Sequence, residues 1–263
     1  SALGAIPDAA AEATGDASGP EAARQMRLRN AERIPFARYS ELDYEAARDA
    51  LVPLVRRFRV RVSRRLRIAR TGKIDFRRTI RAAIQHGGAF AELRMRSRRP
   101  RHIDLLIVAD ISGSVGYASG LMLEMVAGAR ECFRRVKSFV FIDHLAEAGF
   151  EQGHVTMEPP LDFYARSDFG RVLRELWERR AALLGRATVL VIMGDGRNNR
   201  RPARADLLRQ IAGICHAVVW LNPEPPERWG SGDSAIWQYA REVDSLVACG
   251  NLHELERALA RVA

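Results

Sequence analysis

No apolar run in this 263-residue chain approaches the roughly 18 residues needed to span a bilayer. The best runs, 105–109 and 188–193, are strand-sized, so no membrane-spanning segment is expected. The first residues lack the basic start and apolar stretch of a signal peptide. Cysteine is scarce: Cys132, Cys215 and Cys249 are odd in number and show neither metal-type nor redox spacing. They read as reduced thiols of a cytoplasmic protein. Lysine is nearly missing, two against 40 arginines, which partly reflects a compositional bias.

What remains is ample for a folded core. Hydrophobic residues make up 47% and charged residues 28%, which excludes disorder throughout. The formal charge of +10 is uneven. Residues 56–101 hold 17 basic side chains against Asp75 and Glu92, a local +15, while the rest of the chain carries −5. A uniformly basic, histone-like polymer is therefore excluded.

The first 23 residues hold nine alanines and no aromatic residue and read as a tail or linker. Ser40-Glu41-Leu42-Asp43 resembles a capping box opening a short helix. Pro53 suits the first turn of another helix, along which Leu51, Val55, Phe58, Val62 and Leu66 form one apolar stripe. Asp75 can cap a third helix that Gly87-Gly88 stops, and residues 91–96 alternate as a half-buried strand.

From Ile103 the texture changes. Buried-type strands are expected at 103–109, 138–142, 187–193, 217–221 and 245–248. Helical patterns occupy 117–135, 169–184, 203–214, 235–243 and 252–262. This alternation predicts an α/β, Rossmann-like, doubly wound and mostly parallel sheet. Such sheets bind ligands beyond the carboxyl ends of their strands, near the switch point.

Three polar groups fall at that edge. Asp110-Ile111-Ser112-Gly113-Ser114 follows the first strong strand, Asp195 ends another, and Ser167-Asp168 opens a helix between them. A carboxylate and two hydroxyls spaced two apart are hard oxygen ligands, suited to Mg²⁺ rather than to a soft metal.

At these residues the sequence resembles the von Willebrand factor A family. The metal-ion-dependent adhesion site (MIDAS) of that family combines DxSxS, a Thr from a second loop and an Asp from a third. Asp110, Ser112, Ser114 and Asp195 match its first and last parts, and Ser167 stands nearest by spacing to the Thr. The resemblance narrows to the CoxE-like branch through Gly72-Lys73-Ile74-Asp75-Phe76-Arg77-Arg78-Thr79-Ile80-Arg81, the following Gly87-Gly88, and Trp220-Leu221-Asn222-Pro223. With this resemblance, which covers about Leu51 to the C-terminus, the expected organisation is a von Willebrand factor A domain at 103–263, an arginine-rich helical extension packing on it at 41–102, and, from composition, a flexible tail or linker at 1–40.

The resemblance further implies a metal-dependent protein-interaction module with Mg²⁺, Mn²⁺ or Ca²⁺ at the MIDAS. Members of this branch work beside MoxR-type AAA+ ATPases in maturing or remodelling another protein. Asp110 and Asp195 together neutralise a divalent ion, which is thereby left able to accept a carboxylate from a partner. Direct ligation by Asp168 would make the site net negative and repel that carboxylate. Ser167 is therefore the expected ligand, with Asp168 holding waters around the ion.

Competing readings are weaker. The basic segment at 56–101 invites nucleic acid, but it has little aromatic interleaving and no helix-turn-helix or zinc-finger spacing. A solvated face or a docking surface for an acidic protein fits it better. A hydrolase using Asp110 as nucleophile would want a second Asp where Ser112 stands, and neither a nucleophile elbow nor zincin spacing is present. No enzyme is expected. Trp177, Trp220 and Trp237 read as core residues, and Trp229, in a loop, as a contact candidate.

Overall fold

The computed structural model describes residues 26, 30, 32–67, 103–151 and 154–262. The expected third helix, the 91–96 strand and the Gly72–Gly88 motif lie outside them. Helix α1 runs Glu41–Arg67. Its start is a reciprocal cap: the Ser40 N–H and hydroxyl donate to Asp43 Oδ2 at 2.9 and 2.7 Å, and the Asp43 N–H returns to Ser40 Oγ at 3.3 Å. Two helices were expected here, but Pro53 lies inside a single one. The helix continues because Ala47, Ala50, Leu51, Leu54 and Phe58 share one buried face. That burial offsets the roughly 3 kcal/mol an interior proline costs.

The sheet has seven strands in the order β4-β3-β2-β1-β5-β6-β7. They are β1 (Asp104–Asp110), β2 (Arg135–Phe141), β3 (Leu145–Glu151), β4 (His154–Glu158), β5 (Thr188–Met193), β6 (Ala217–Asn222) and β7 (Ser245–Ala248). Strand β1 pairs in parallel with β2 and β5, and β5-β6 and β6-β7 continue the parallel set. Strands β3 and β4 add an antiparallel hairpin at one edge. The hairpin was not expected from the sequence. Its Leu-Ala-Glu-Ala-Gly run has weak strand propensity and is recruited by pairing with β2.

Strand β1 is buried on both faces and sorts its side chains by parity. Leu105, Ile107 and Ala109 join one core with α1, α2 (Gly116–Gly128) and α7 (Leu252–Val262). Leu106 and Val108 join the other with α3 (Phe169–Glu178), the short α4 (Arg180–Leu183), α5 (Ala205–Ile214) and α6 (Ile236–Ala240). The sheet is thus doubly wound, as the alternation predicted. Helix α2 stops at Gly128 rather than running to 135, where a methyl group would stand 2.8 Å from Val55 Cγ1 on α1. Trp220 is fully buried, but Trp237 is 53% exposed. Its five-residue helix spends its inner face on Ile236 and Tyr239, which corrects the core reading of Trp237. Among the described residues no helix is long and apolar enough to cross a membrane.

Candidate metal centre

The chain leaves β1 for β2 on one side and returns to β5 on the other, so the switch point lies between β1 and β5. Asp110 is the last residue of β1, and Asp195 follows the last residue of β5 by two. Gly194 makes their close approach possible: a methyl group there would stand 2.7 Å from the Phe169 ring and 3.3 Å from Asp110 Cβ.

Asp110 is fully buried. Its Oδ1 accepts the Ser112 N–H at 2.8 Å, and its Oδ2 accepts the Ser167 hydroxyl at 3.5 Å. The Ser167 and Ser112 hydroxyls are 3.0 Å apart. Asp110, Ser112 and Ser167 therefore meet at one point. Ser114 lies in the 3₁₀ turn Gly113–Val115, and its side chain falls outside the described part. Asp195 enters from the third loop, its Oδ1 accepting the Arg197 N–H at 2.9 Å.

Asp168 is turned elsewhere. Its Oδ1 caps α3 by accepting the Arg171 N–H at 2.9 Å, and its Oδ2 lies 3.2 Å from Arg201 Nη1. Both carboxylate oxygens are thus engaged away from the Ser167 hydroxyl.

Burial pushes the Asp110 carboxyl up to about 7, and the nearby Asp195 charge adds to the rise. Asp195 is raised by its own burial first, then by Glu224, while Arg197 opposes the rise. Two buried carboxylates near one another are thus under-compensated by the protein alone. Among the described residues no group of three or more His, Cys, Asp and Glu is gathered as a metal cluster, so hydroxyls must complete any coordination here. Two carboxylates with serine hydroxyls form a hard, oxygen-only donor set that fits a Mg²⁺-like cation.

The family described as VWA domain containing CoxE-like protein matches residues 47–258. The chain belongs to this family. No curated protein sequence matches it. Among solved structures, the CoxE-like chain is similar to a von Willebrand factor type A protein from Catenulispora acidiphila (10% identity, 62% of this chain and 42% of that one, TM-score 0.44). It is also similar to the ArnB paralog VWA2 from Sulfolobus acidocaldarius (9%, 60% and 44%, TM-score 0.43). A third is BatB from Bacteroides thetaiotaomicron, a conserved hypothetical protein (11%, 61% and 96%, TM-score 0.42). The chain spans less than half the length of the first two.

Several residues that hold this site were not expected to do so from the sequence, where Trp220 was read only as core and as part of the family signature. The Ser119 hydroxyl on α2 donates to the Asp110 carbonyl. Trp220 Nε1 donates to the Gly194 carbonyl at 2.8 Å, and its ring stacks on Tyr239 and Phe169. Asn198 Oδ1 accepts the Phe169 N–H at 2.8 Å, and Asn199 Nδ2 donates to the Ser167 carbonyl at 2.9 Å. Arg197 reaches Glu224 through Nη2 at 2.8 Å and Asp233 through Nη1 at 3.3 Å. The Asn198-Asn199 pair three residues after Asp195 was the available signal, because paired asparagines are turn-formers with hydrogen bonds to offer.

Proposed function

We propose that this chain is a metal-dependent protein-interaction module that performs no bond chemistry of its own. One observation carries the reading. The buried Asp110 carboxylate, the Ser112 and Ser167 hydroxyls and the nearby Asp195 come together at the switch point with both carboxyls raised. Asp110, Ser112, Ser114, Ser167 and Asp195 would hold Mg²⁺, or Mn²⁺ or Ca²⁺ in its place. Bound there, the ion supplies a Lewis-acidic position for an Asp or Glu side chain of a partner protein.

The charge balance favours that ligand: two carboxylates neutralise a divalent ion, and the serines add nothing. Asp168, committed to the α3 cap and to Arg201, spares the site a third negative charge. The setting we propose, in keeping with the CoxE-like resemblance, is an adaptor for a MoxR-type AAA+ ATPase, with that ATPase or its client presenting the carboxylate.

The test is direct metal binding, read from the Mn²⁺ electron paramagnetic resonance signal and from Mg²⁺ competition. The wild-type chain is expected to bind one ion, and Asp110→Ala to weaken binding at least about 100-fold, the loss of a ligand carboxylate being worth several kcal/mol. Unchanged ion binding in Asp110→Ala would sink the reading.

A further inference from the structure

Beside the site stands a turn that spends apolar surface on solvent. Leu161 is buried and Ala165 packs on the same core, so residues 162–165 are pinned at both ends. The Ala165 N–H closes the turn on the Asp162 carbonyl at 3.0 Å. At its tip Phe163 is 65% and Tyr164 96% exposed. The one acid of the turn, Asp162, is itself exposed, its Oδ1 accepting the Tyr164 N–H at 2.9 Å. Tyr164 is three residues from Ser167, within about 11 Å of chain.

The turn is stitched to the loop after β5. Asn199 Nδ2 donates to the Ser167 carbonyl at 2.9 Å, and Arg201 Nη1 donates to the Arg166 carbonyl at 3.1 Å. In that second loop Asn199 and Arg200 both adopt positive φ, 52° and 60°. Two successive non-glycine residues in the left-handed region are unfavourable unless their surroundings hold them. Here the Asp233 carboxylate does so, its Oδ2 accepting the Asn199 N–H at 2.9 Å. Arg200, next to the Asn199 that holds the Ser167 carbonyl, and Arg166, next to Ser167, are both exposed. Neither forms an ion pair among the described residues.

We infer that the Phe163-Tyr164 tip with Arg166 and Arg200 forms a selective rim around the metal site. It docks a protein segment in which the ligating carboxylate is flanked by a further acid and an aromatic or aliphatic residue. The inference rests on the proposed function, and adds which carboxylates are taken. Charge complementarity selects the acid: Arg166 and Arg200, exposed and without an ion pair among the described residues, stand in the two loops that carry Ser167 and Asn199. The aromatic tip selects the apolar neighbour, since such side chains dominate interface energies when desolvated. A nucleic-acid strand fits less well, because two exposed arginines offer only two phosphate contacts.

The test is selection from a random peptide display library on the immobilised full chain in Mg²⁺, repeated in EDTA. Wild type is expected to enrich peptides with paired acids beside an apolar residue, in Mg²⁺ only. Phe163→Ser with Tyr164→Ser should keep the requirement for acid and for Mg²⁺, lose the apolar enrichment, and bind the best wild-type peptide about tenfold more weakly. Arg166→Gln with Arg200→Gln should lose the preference for the second acid. Identical selections by wild type and the rim variants overturn the inference, as does the absence of any enrichment. So does displacement of the selected peptide by a single-stranded oligonucleotide whose own binding the rim variants lose. Mn²⁺ binding separates the failures: an ion bound by wild type with an indifferent rim sinks this inference alone, and no ion bound sinks the proposed function with it.

Discussion

One strand carries two aspartates with opposite electrostatic fates. At the amino end of β1, Asp104 meets Arg134, whose Nε donates at 2.7 Å and whose Nη2 closes a second bond, with Arg135 Nη2 3.6 Å away. The hydrogen-bonded Arg134 holds the Asp104 carboxyl below its ordinary range. At the carboxyl end, burial raises Asp110, with no counter-cation beside it among the described residues. The forked, charge-assisted pair is structural, and its pH dependence has a definite sign. The unfolded Asp104 takes up its proton near pH 4, before the native one. The stability it contributes is whole above that value and is lost as pH falls through the lower native value. Asp104→Asn should therefore be less stable than wild type at pH 7, with urea midpoints converging as the pH falls well below about 4. A midpoint difference that ignores pH would contradict this. Asp110 and Ser112 were legible as neighbours because they share one short turn, and Ser167 by its place at the helix between the two strand ends. The Asp104–Arg134 pair and the Trp220 bond to Gly194 were not, since each joins elements whose order in the sheet the sequence does not state.

Among the elements, α1 departs furthest from the sequence reading of its segment. Its capping box was legible because Ser40 and Asp43 are three apart, a purely local relation. Its continuity through Pro53 was not, since that depends on the faces it meets. Leu54 and Phe58 are fully buried against the core shared with α2 and α7, and on the polar flank Arg48 Nε donates to Glu124 Oε2 at 3.1 Å. An element that merely rested on the domain would tolerate truncation of such contacts. Leu54→Ala is instead expected to cost about 2–5 kcal/mol, as for a core leucine, read from urea denaturation monitored by circular dichroism. A loss under about 1 kcal/mol would mean that α1 is a detachable arm. The missed hairpin makes the complementary point. The four strands β1, β2, β5 and β6, with dense aliphatic or aromatic runs, were legible without partners, whereas β3 becomes a strand only because β2 offers it an edge.

Across the whole molecule the two ends of the sheet have different work. Strands β1, β5, β6 and β7 run parallel, so their carboxyl ends share one edge. The helix dipole and N-cap of α3 point there too. That edge is built from loops whose hydrogen bonds run largely to one another: Ser167 to Asn199, Phe169 to Asn198, Asp195 to Arg197 and Ser234. The opposite edge is closed by the Asp104–Arg134 pair on regular strands. Local opening is therefore expected to be cheapest at the carboxyl edge. A ligand that binds only the folded state stabilises it by about 2.7 kcal/mol at 100 times its dissociation constant. If that ligand is a divalent ion at Asp110, its local effect must fall on those loops. Hydrogen–deuterium exchange with added Mg²⁺ should slow at 111–115, 166–169 and 194–199 and stay unchanged at 130–135. Asp110→Ala, compared with its own pattern in EDTA, should show no Mg²⁺-dependent slowing, though loss of the bond to the Ser112 N–H speeds exchange there in both conditions. Protection spread evenly over both edges would mean that the ion stabilises the chain by general screening, and that the switch point holds no site.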